Sequence, residues 1–283
     1  MYYRQFTLKW FLLIAVLVAA GIGIAVRASD WLAEEHCAAA VVRYGGEITE
    51  SRGRVTAVDL SRAGIPHGDA ELSCLANFQH LTSLNLGGMS VGDRTVLALR
   101  VAGSLEELSL AWTNITDRGC QGLQSYRRLV ALDLHGTHIT DDGVKRVAML
   151  PALERLDLGD TAITATGVKH LRGLTNLHLL RLDGVPLESA ALLALQRLKR
   201  LEFVDLSGKS TRDEALVALS RMSSLKVVVL YGASVTDAGI EKLLLCPHLE
   251  RVDLRHTPVT ASAVSRLKEG TPGPLEVLFD AGS

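Results

Sequence analysis

Two histidines three residues apart, His135 and His138, and four cysteines at 37, 74, 120 and 246 are side chains whose type and spacing invite metal or redox chemistry. Zinc takes four ligands from Cys, His and carboxylates, so a histidine pair needs further partners. Here one imidazole falls on a predicted strand and the other in the turn after it. No third ligand stands at a matching spacing, and no metal set is assigned. The cysteines form no Cys-x-x-Cys pair. Cys120 and Cys246 occupy apolar positions and read as buried core. Cys37 and Cys74 lie outside such positions; in an oxidising compartment they would staple the N-terminal end, and otherwise they are two free thiols. There is no Gly-x-Ser-x-Gly elbow, no His-Glu-x-x-His and no phosphate loop. Gly21-Ile22-Gly23 lies inside an apolar run and lacks the third glycine of a nucleotide loop. Without a nucleophile, a base or a cofactor cradle, the chain is expected to be non-catalytic and to carry no cofactor.

Charge excludes one class of partner. Thirty basic and 31 acidic side chains leave a net charge of −1, with no Lys/Arg run on any face. Nucleic-acid binding needs a basic footprint, so no nucleic acid is expected.

The elements that would position a site follow from a period. Leu81, Leu105, Leu129, Leu153, Leu177, Leu201, Leu225 and Leu249 each lead a Leu-x-x-Leu-x-Leu unit, every one 24 residues after the last. Val55/Val58/Leu60 precede them and Leu275/Leu278 follow, both at a spacing of 26, which makes about ten units. Within a unit, Leu108 and Leu110 are two apart, the period of a strand with one buried face. Ile115, Cys120, Leu123 and Tyr126 then recur at gaps of 5, 3 and 3, a short helical segment. Thr116-Asp117, Thr140-Asp141 and Thr236-Asp237 stand where that helix starts, supplying an oxygen to free amides and a negative charge at the positive end of the dipole. Units of this kind cannot bury an apolar face alone and must stack. The predicted fold is α/β: a curved solenoid with a parallel sheet on its concave face and short helices on the convex face.

LEELSLAWTNITDRGCQGL (105–123), LVALDLHGTHITDDGVKRV (129–147), LERLDLGDTAITATGVKHL (153–171) and LKVVVLYGASVTDAGIEKL (225–243) share an Ile/Val-Thr-x-x-Gly signature, three of them with Asp after the Thr. They resemble leucine-rich repeats of the cysteine-containing, F-box-associated type. No F-box precedes them, and the chain is also similar to bacterial membrane-anchored repeat proteins of the planctomycete type. The resemblance implies a solenoid that binds proteins. The turn column where this type often carries Asn or Cys reads Met89, Thr113, Thr137, Thr161, Val185, Lys209, Ala233 and Thr257. A hydroxyl continues a ladder between coils only in part, so the units starting at 177 and 201 are expected to be the least regular. Asn114-Ile115-Thr116 matches a glycosylation sequon but belongs to the signature.

Residues 1–28 read as a cytoplasmic stub and transmembrane anchor. Trp10–Val26 is an uncharged run of 17 residues, short but sufficient for a bilayer span. Arg4 and Lys9 precede it and should stay in the cytoplasm, so the repeats are expected to be exported. A secreted form after cleavage near Val26-Arg27-Ala28 is the alternative. Residues 29–54 read as an N-terminal cap: a helix from Ser29 to Tyr44 stopped by Gly45-Gly46, then a hairpin. Residues 55–283 are the solenoid, with Asp280 in place of a core leucine in its last unit.

On the concave face the residue between the second and third leucines reads Asp59, Asn85, Ser109, Asp133, Asp157, Arg181, Asp205, Val229, Asp253 and Phe279. One region breaks the polar pattern. Leu179, Phe203, Val227, Val229 and Tyr231 face outward on adjacent strands, ringed by Arg181, Asp205, Arg251, Asp253 and Arg255. An exposed apolar area with a polar rim marks an interaction site, so these residues are the expected contact for a protein or peptide. Trp112 and His135 form a second candidate. Self-association as a structural protein of the envelope is the competing function, and an adaptor resembling F-box-type substrate receptors is a further one.

Overall fold

The computed structural model describes residues 30–280 apart from 31, 64–70, 100–103 and 188. The expected anchor at 10–26 and the Ser29 cap lie outside the described residues. Among the described residues no helix is long and apolar enough to cross a membrane.

A helix α1 (32–43) comes first and ends at the Tyr44–Gly45 turn. Strands β1 (Glu47–Ser51) and β2 (Arg54–Asp59) then form an antiparallel hairpin. Its two-residue loop is Arg52-Gly53, both at positive φ, as the twist of paired strands requires. From β2 onward every pairing is parallel: β3 (Ser83–Asn85), β4 (Glu107–Ser109), β5 (Ala131–Asp133), β6 (Arg155–Asp157), β7 (Leu179–Arg181), β8 (Phe203–Asp205), β9 (Val227–Val229), β10 (Arg251–Asp253) and β11 (Glu276–Leu278). The sheet order is the sequence order. Each strand from β3 on is three residues long, and its central side chain, Leu84, Leu108, Leu132 and so on, points into the core.

The other side carries α2 (Asp93–Leu99), α3 (Gly119–Leu123), α4 (Asp141–Val147), α5 (Ala165–His170), α6 (Ser189–Leu192), α7 (Asp213–Leu219), α8 (Asp237–Ile240) and α9 (Ala261–Gly270), several continued by a 3₁₀ turn. The core between the layers is one continuous cluster in which the leading leucines are almost wholly buried. Ile115, Cys120, Leu123 and Tyr126 all point into it, as their spacing predicts. Burial pushes the Cys120 thiol up to about 12 and the Cys246 thiol up to about 11, so both stay protonated at neutral pH.

At the N-terminal end the first strand is covered rather than open. β1 pairs its outer edge, and the Val55 amide donates to Glu34 Oε1 of α1 at 3.1 Å. A disulfide joins Cys37 of α1 to Cys74 in the 3₁₀ helix Glu71–Asn77, which resolves the alternatives left open by spacing.

Three expectations are corrected. The Thr-Asp pair caps its own helix only in part: Thr140 and Thr164 accept from the amides of Asp142 and Thr166, but the aspartate reaches into the next unit. Asp93 accepts from the amide and hydroxyl of Thr116, Asp117 from Thr140, Asp141 from Thr164, Asp213 from Thr236 and Asp237 from Thr260, all at 2.6–2.8 Å. The signature is a clamp between neighbouring units. Secondly, the hydroxyls of the turn-column threonines form no ladder between coils. Thr113, Thr137, Thr161 and Thr257 each donate to the carbonyl three residues back in their own unit. Thirdly, Asp253 pairs with Leu278, not Phe279. The step from Val252 to Val277 is 25 residues, so Phe279, not Asp280, takes the third core position and packs partly buried there. A slip of one residue exchanges the two faces of a strand.

The clamp breaks in the two units expected to be irregular. Ala165 cannot accept, Arg212 replaces the threonine in front of α7, and the turn of that unit has Gly208 at φ 111°. Thr211 Oγ1 and His178 Nδ1 are buried there without hydrogen-bond partners.

Candidate recognition face on the open sheet

Side chains between the core positions of each strand point away from the helices onto one open face. A groove of about 610 Å³ runs over β1 to β7, lined by Asp59, Asn85, Glu107, Ser109, Asp133, Arg155, Asp157 and Arg181 among others. A single groove shared by so many strands makes this face concave. Aspartates along the open face are held locally: Asp133, Asp157, Asp205 and Asp253 each accept from the amide two residues on, at 2.9–3.1 Å. Burial, offset in part by the His135 amide, holds the Asp133 carboxyl above its ordinary range, with Asp157 adding repulsion.

The apolar group begins at the end of the groove, which Leu179 lines, and runs on from there. Leu179, Phe203 and Val227 are register partners on β7, β8 and β9, in one row that ends at Arg251 of β10. Val229 stands in the next row beside Asp205 and Asp253. All four apolar side chains are half-buried, and Tyr231 at the following turn is exposed. The rim is ordered. The Arg181 guanidinium sits 5.7 Å from the centre of the Phe203 ring, and that of Arg255 sits 5.6 Å from the Tyr231 ring. Arg255 also makes two bonds to Asp253, at 3.0 and 2.6 Å, and His256 packs edge-on against Tyr231 at 4.8 Å. Burial alone would raise the Asp253 carboxyl, but the bonds from Arg255 hold it below the ordinary range. Arg251 is turned outward to Glu276. The structure thus brings together the nine residues predicted for a partner site.

Trp112 and His135 form a separate cluster at the turns above β4 and β5. In eight successive units the second turn residue has positive φ: Gly88, Trp112, Gly136, Asp160, Gly184, Gly208, Gly232 and His256. In the first seven, this conformation aims the amide at a carbonyl of the next unit, as from Trp112 to His135 at 2.7 Å and from Asp160 to Asp183 at 2.8 Å. Trp112 is 61 % exposed, and its ring meets His135 at 4.9 Å. Gly136 must be glycine here, since a Cβ would overlap the Trp112 ring. His135 in turn faces the carboxylates of Asp157, Asp160 and Asp183 at 3.4–3.8 Å. His138 is not part of this group; it is exposed and bridges to Thr116.

Residues 104–123 and 128–148 match the leucine-rich repeat family. The units led by Leu81 to Leu249 keep the same 24-residue step with the same strand register. The chain carries leucine-rich repeats. Its fold is similar to that of internalin C2 from Listeria monocytogenes, at 20 % identity over 80 % of this chain and 81 % of that one, with a TM-score of 0.46. Internalin F from the same organism is similar at 17 % identity, over 75 % and 77 % of the two chains, with a TM-score of 0.40. No curated protein matches the chain.

Within the leucine-rich repeat chain, sequence reasoning missed the carboxylates around His135. The signal was present but lay across units: 135 and 183 are two repeats apart in one turn column, and Asp160 stands in the column beside it. Residues close in a solenoid are one repeat apart in sequence, so a search over short spacings passes them by.

Proposed function

We propose that this protein is a non-catalytic, membrane-anchored recognition scaffold, exported from the cytoplasm, that binds a protein or peptide through its open sheet. Repeats of this family are suited to protein recognition. The observation that carries the reading is the row Leu179–Phe203–Val227, with Val229 beside it, on neighbouring strands where alternation calls for polar side chains. Such a group, rimmed by Arg181, Asp205, Arg251 and Arg255, supplies central anchors and a polar surround. The adjoining groove carries Glu47, Asp59, Glu107, Asp133 and Asp157 against Arg155 and Arg181, so it favours a ligand with basic groups on that side.

Anchoring rests on the apolar run 10–26 and its basic N-terminal flank. The Cys37–Cys74 disulfide supports export, because such bonds persist in oxidising compartments.

Crosslinking in the native envelope tests the site. Wild-type protein should yield a specific crosslinked partner that Phe203→Asp and Val229→Asp both lose. An unchanged partner with both variants folded places the site elsewhere, and a crosslink only to itself replaces recognition with self-association. A reporter fused after Ser283 should be exported and stay with membranes through a carbonate wash; its release in soluble form with Ser29 at the N-terminus means a cleaved signal instead.

A further inference from the structure

We propose that His135, Asp160 and Asp183 form a binding site for one divalent transition-metal ion of the zinc class, at the turn edge of the sheet. The proposal is independent of the recognition reading. The three side chains each offer one ligand atom, and these atoms all lie within 4.8 Å of one another. His135 Nε2 stands 3.5 Å from Asp160 Oδ2, close to the roughly 3.3 Å edge of a tetrahedron whose bonds are about 2.0 Å. The other ring nitrogen, Nδ1, is 3.4 Å from Asp157 Oδ1. Asp183 Oδ2 also approaches Nδ1, at 3.8 Å, so a carboxylate stands beside each ring nitrogen, and the nitrogen that does not take the metal has its N–H oriented by one, the arrangement that fixes the tautomer of metal-binding histidines.

The surroundings make room for the group. A Cβ at Gly159 would overlap Asp183 Oδ1 and stand 2.5 Å from His135 Nδ1, and one at Gly184 would overlap Asp160 Oδ1. Trp112 closes one side of the imidazole at 4.9 Å. Charge also favours a cation. Asp157, Asp160 and Asp183 converge on His135, and Arg181 lies 3.4 Å from Asp157. The imidazole decides the class of ion. Nitrogen ligands suit zinc, cobalt or nickel, whereas calcium and magnesium take all-oxygen sets.

The full chain, purified in detergent and stripped with a chelator, is titrated with Zn²⁺ by calorimetry and with Co²⁺ by visible absorption. One ion per chain is expected at micromolar affinity or tighter. His135→Gln and Asp183→Asn should each weaken it at least tenfold while leaving the far-UV spectrum and the metal-free melting temperature in place. His138→Gln should change nothing. Zn²⁺ affinity unaltered by His135→Gln overturns the proposal, as does no binding below millimolar concentration. Ca²⁺ competing equally with Zn²⁺ overturns it too, since that is the behaviour of a diffuse acidic surface.

Discussion

Gly143→Ala separates helix propensity from the clamp between units. Gly143 is in α4, where alanine would ordinarily gain about 0.5–1 kcal/mol by restricting the unfolded chain and favouring the helix. Here the space is taken. A Cβ would overlap Asp117 Oδ1, which accepts from the Thr140 amide at 2.8 Å while Oδ2 accepts from the Thr140 hydroxyl at 2.6 Å, and would sit 2.9 Å from Ile139 Cγ2. Relieving the overlap means swinging Asp117 off Thr140, which forfeits about 1.5–3 kcal/mol for hydrogen bonds to a charged group. The carboxylate is only half-buried, so the lower end applies. Offset by the helix gain, the net loss is about 0.5–1 kcal/mol, and the urea midpoint followed by far-UV circular dichroism should fall. In an Asp117→Ala background the obstruction is gone, and Gly143→Ala should cost at least 1 kcal/mol less than in wild type, a coupling of the size neighbouring residues show. A rise in midpoint for Gly143→Ala alone, or strict additivity of the two changes, would refute the clamp as the reason for this glycine.

Four further outcomes follow from the same geometry. Leu206, fully buried, should cost about 2–5 kcal/mol on replacement by alanine, whereas half-exposed Phe203→Asp should stay within about 1 kcal/mol of wild type; equal losses in the urea midpoint would mean the strand faces are misassigned. Replacing Cys37 and Cys74 by serine opens a loop closed across 37 positions and should lower stability by about 3–4 kcal/mol in chemical denaturation. Asp237 has its carboxyl lowered by the Thr260 bonds, and in Asp141 the bonds from Thr164 and Gly167 outweigh a larger rise from burial. Both folded pKa values lie below the ordinary one, so this stability is full above the usual carboxylate range and lost as pH falls through the folded value; Asp141→Asn and Asp237→Asn should flatten the urea midpoint between about pH 5 and pH 2. Finally, the buried thiols of Cys120 and Cys246 should not react with a thiol reagent at pH 8 until the chain is unfolded.

Much of the architecture was legible before any coordinates. A leucine every 24 residues cannot be satisfied except by stacking identical turns, and the alternation at Leu108 and Leu110 decides which side of each strand meets the core. Because the step is constant, register follows from counting, and so the row Leu179, Phe203, Val227 was readable from the sequence alone. Counting failed where the step changed: the Pro272-Gly273-Pro274 turn precedes a step of 25, and Phe279 moved from the open face to the core side. Tertiary structure alone decided what the periodic polar residues do. Asp117 and Thr140, or His135 and Asp183, are far apart in sequence, and a repeat pattern shows only that they share columns. Whether Asp117 caps its own helix or holds its neighbour depends on the offset between stacked units, a few ångströms that no periodicity encodes. The same offset turns His135 toward three carboxylates and away from His138.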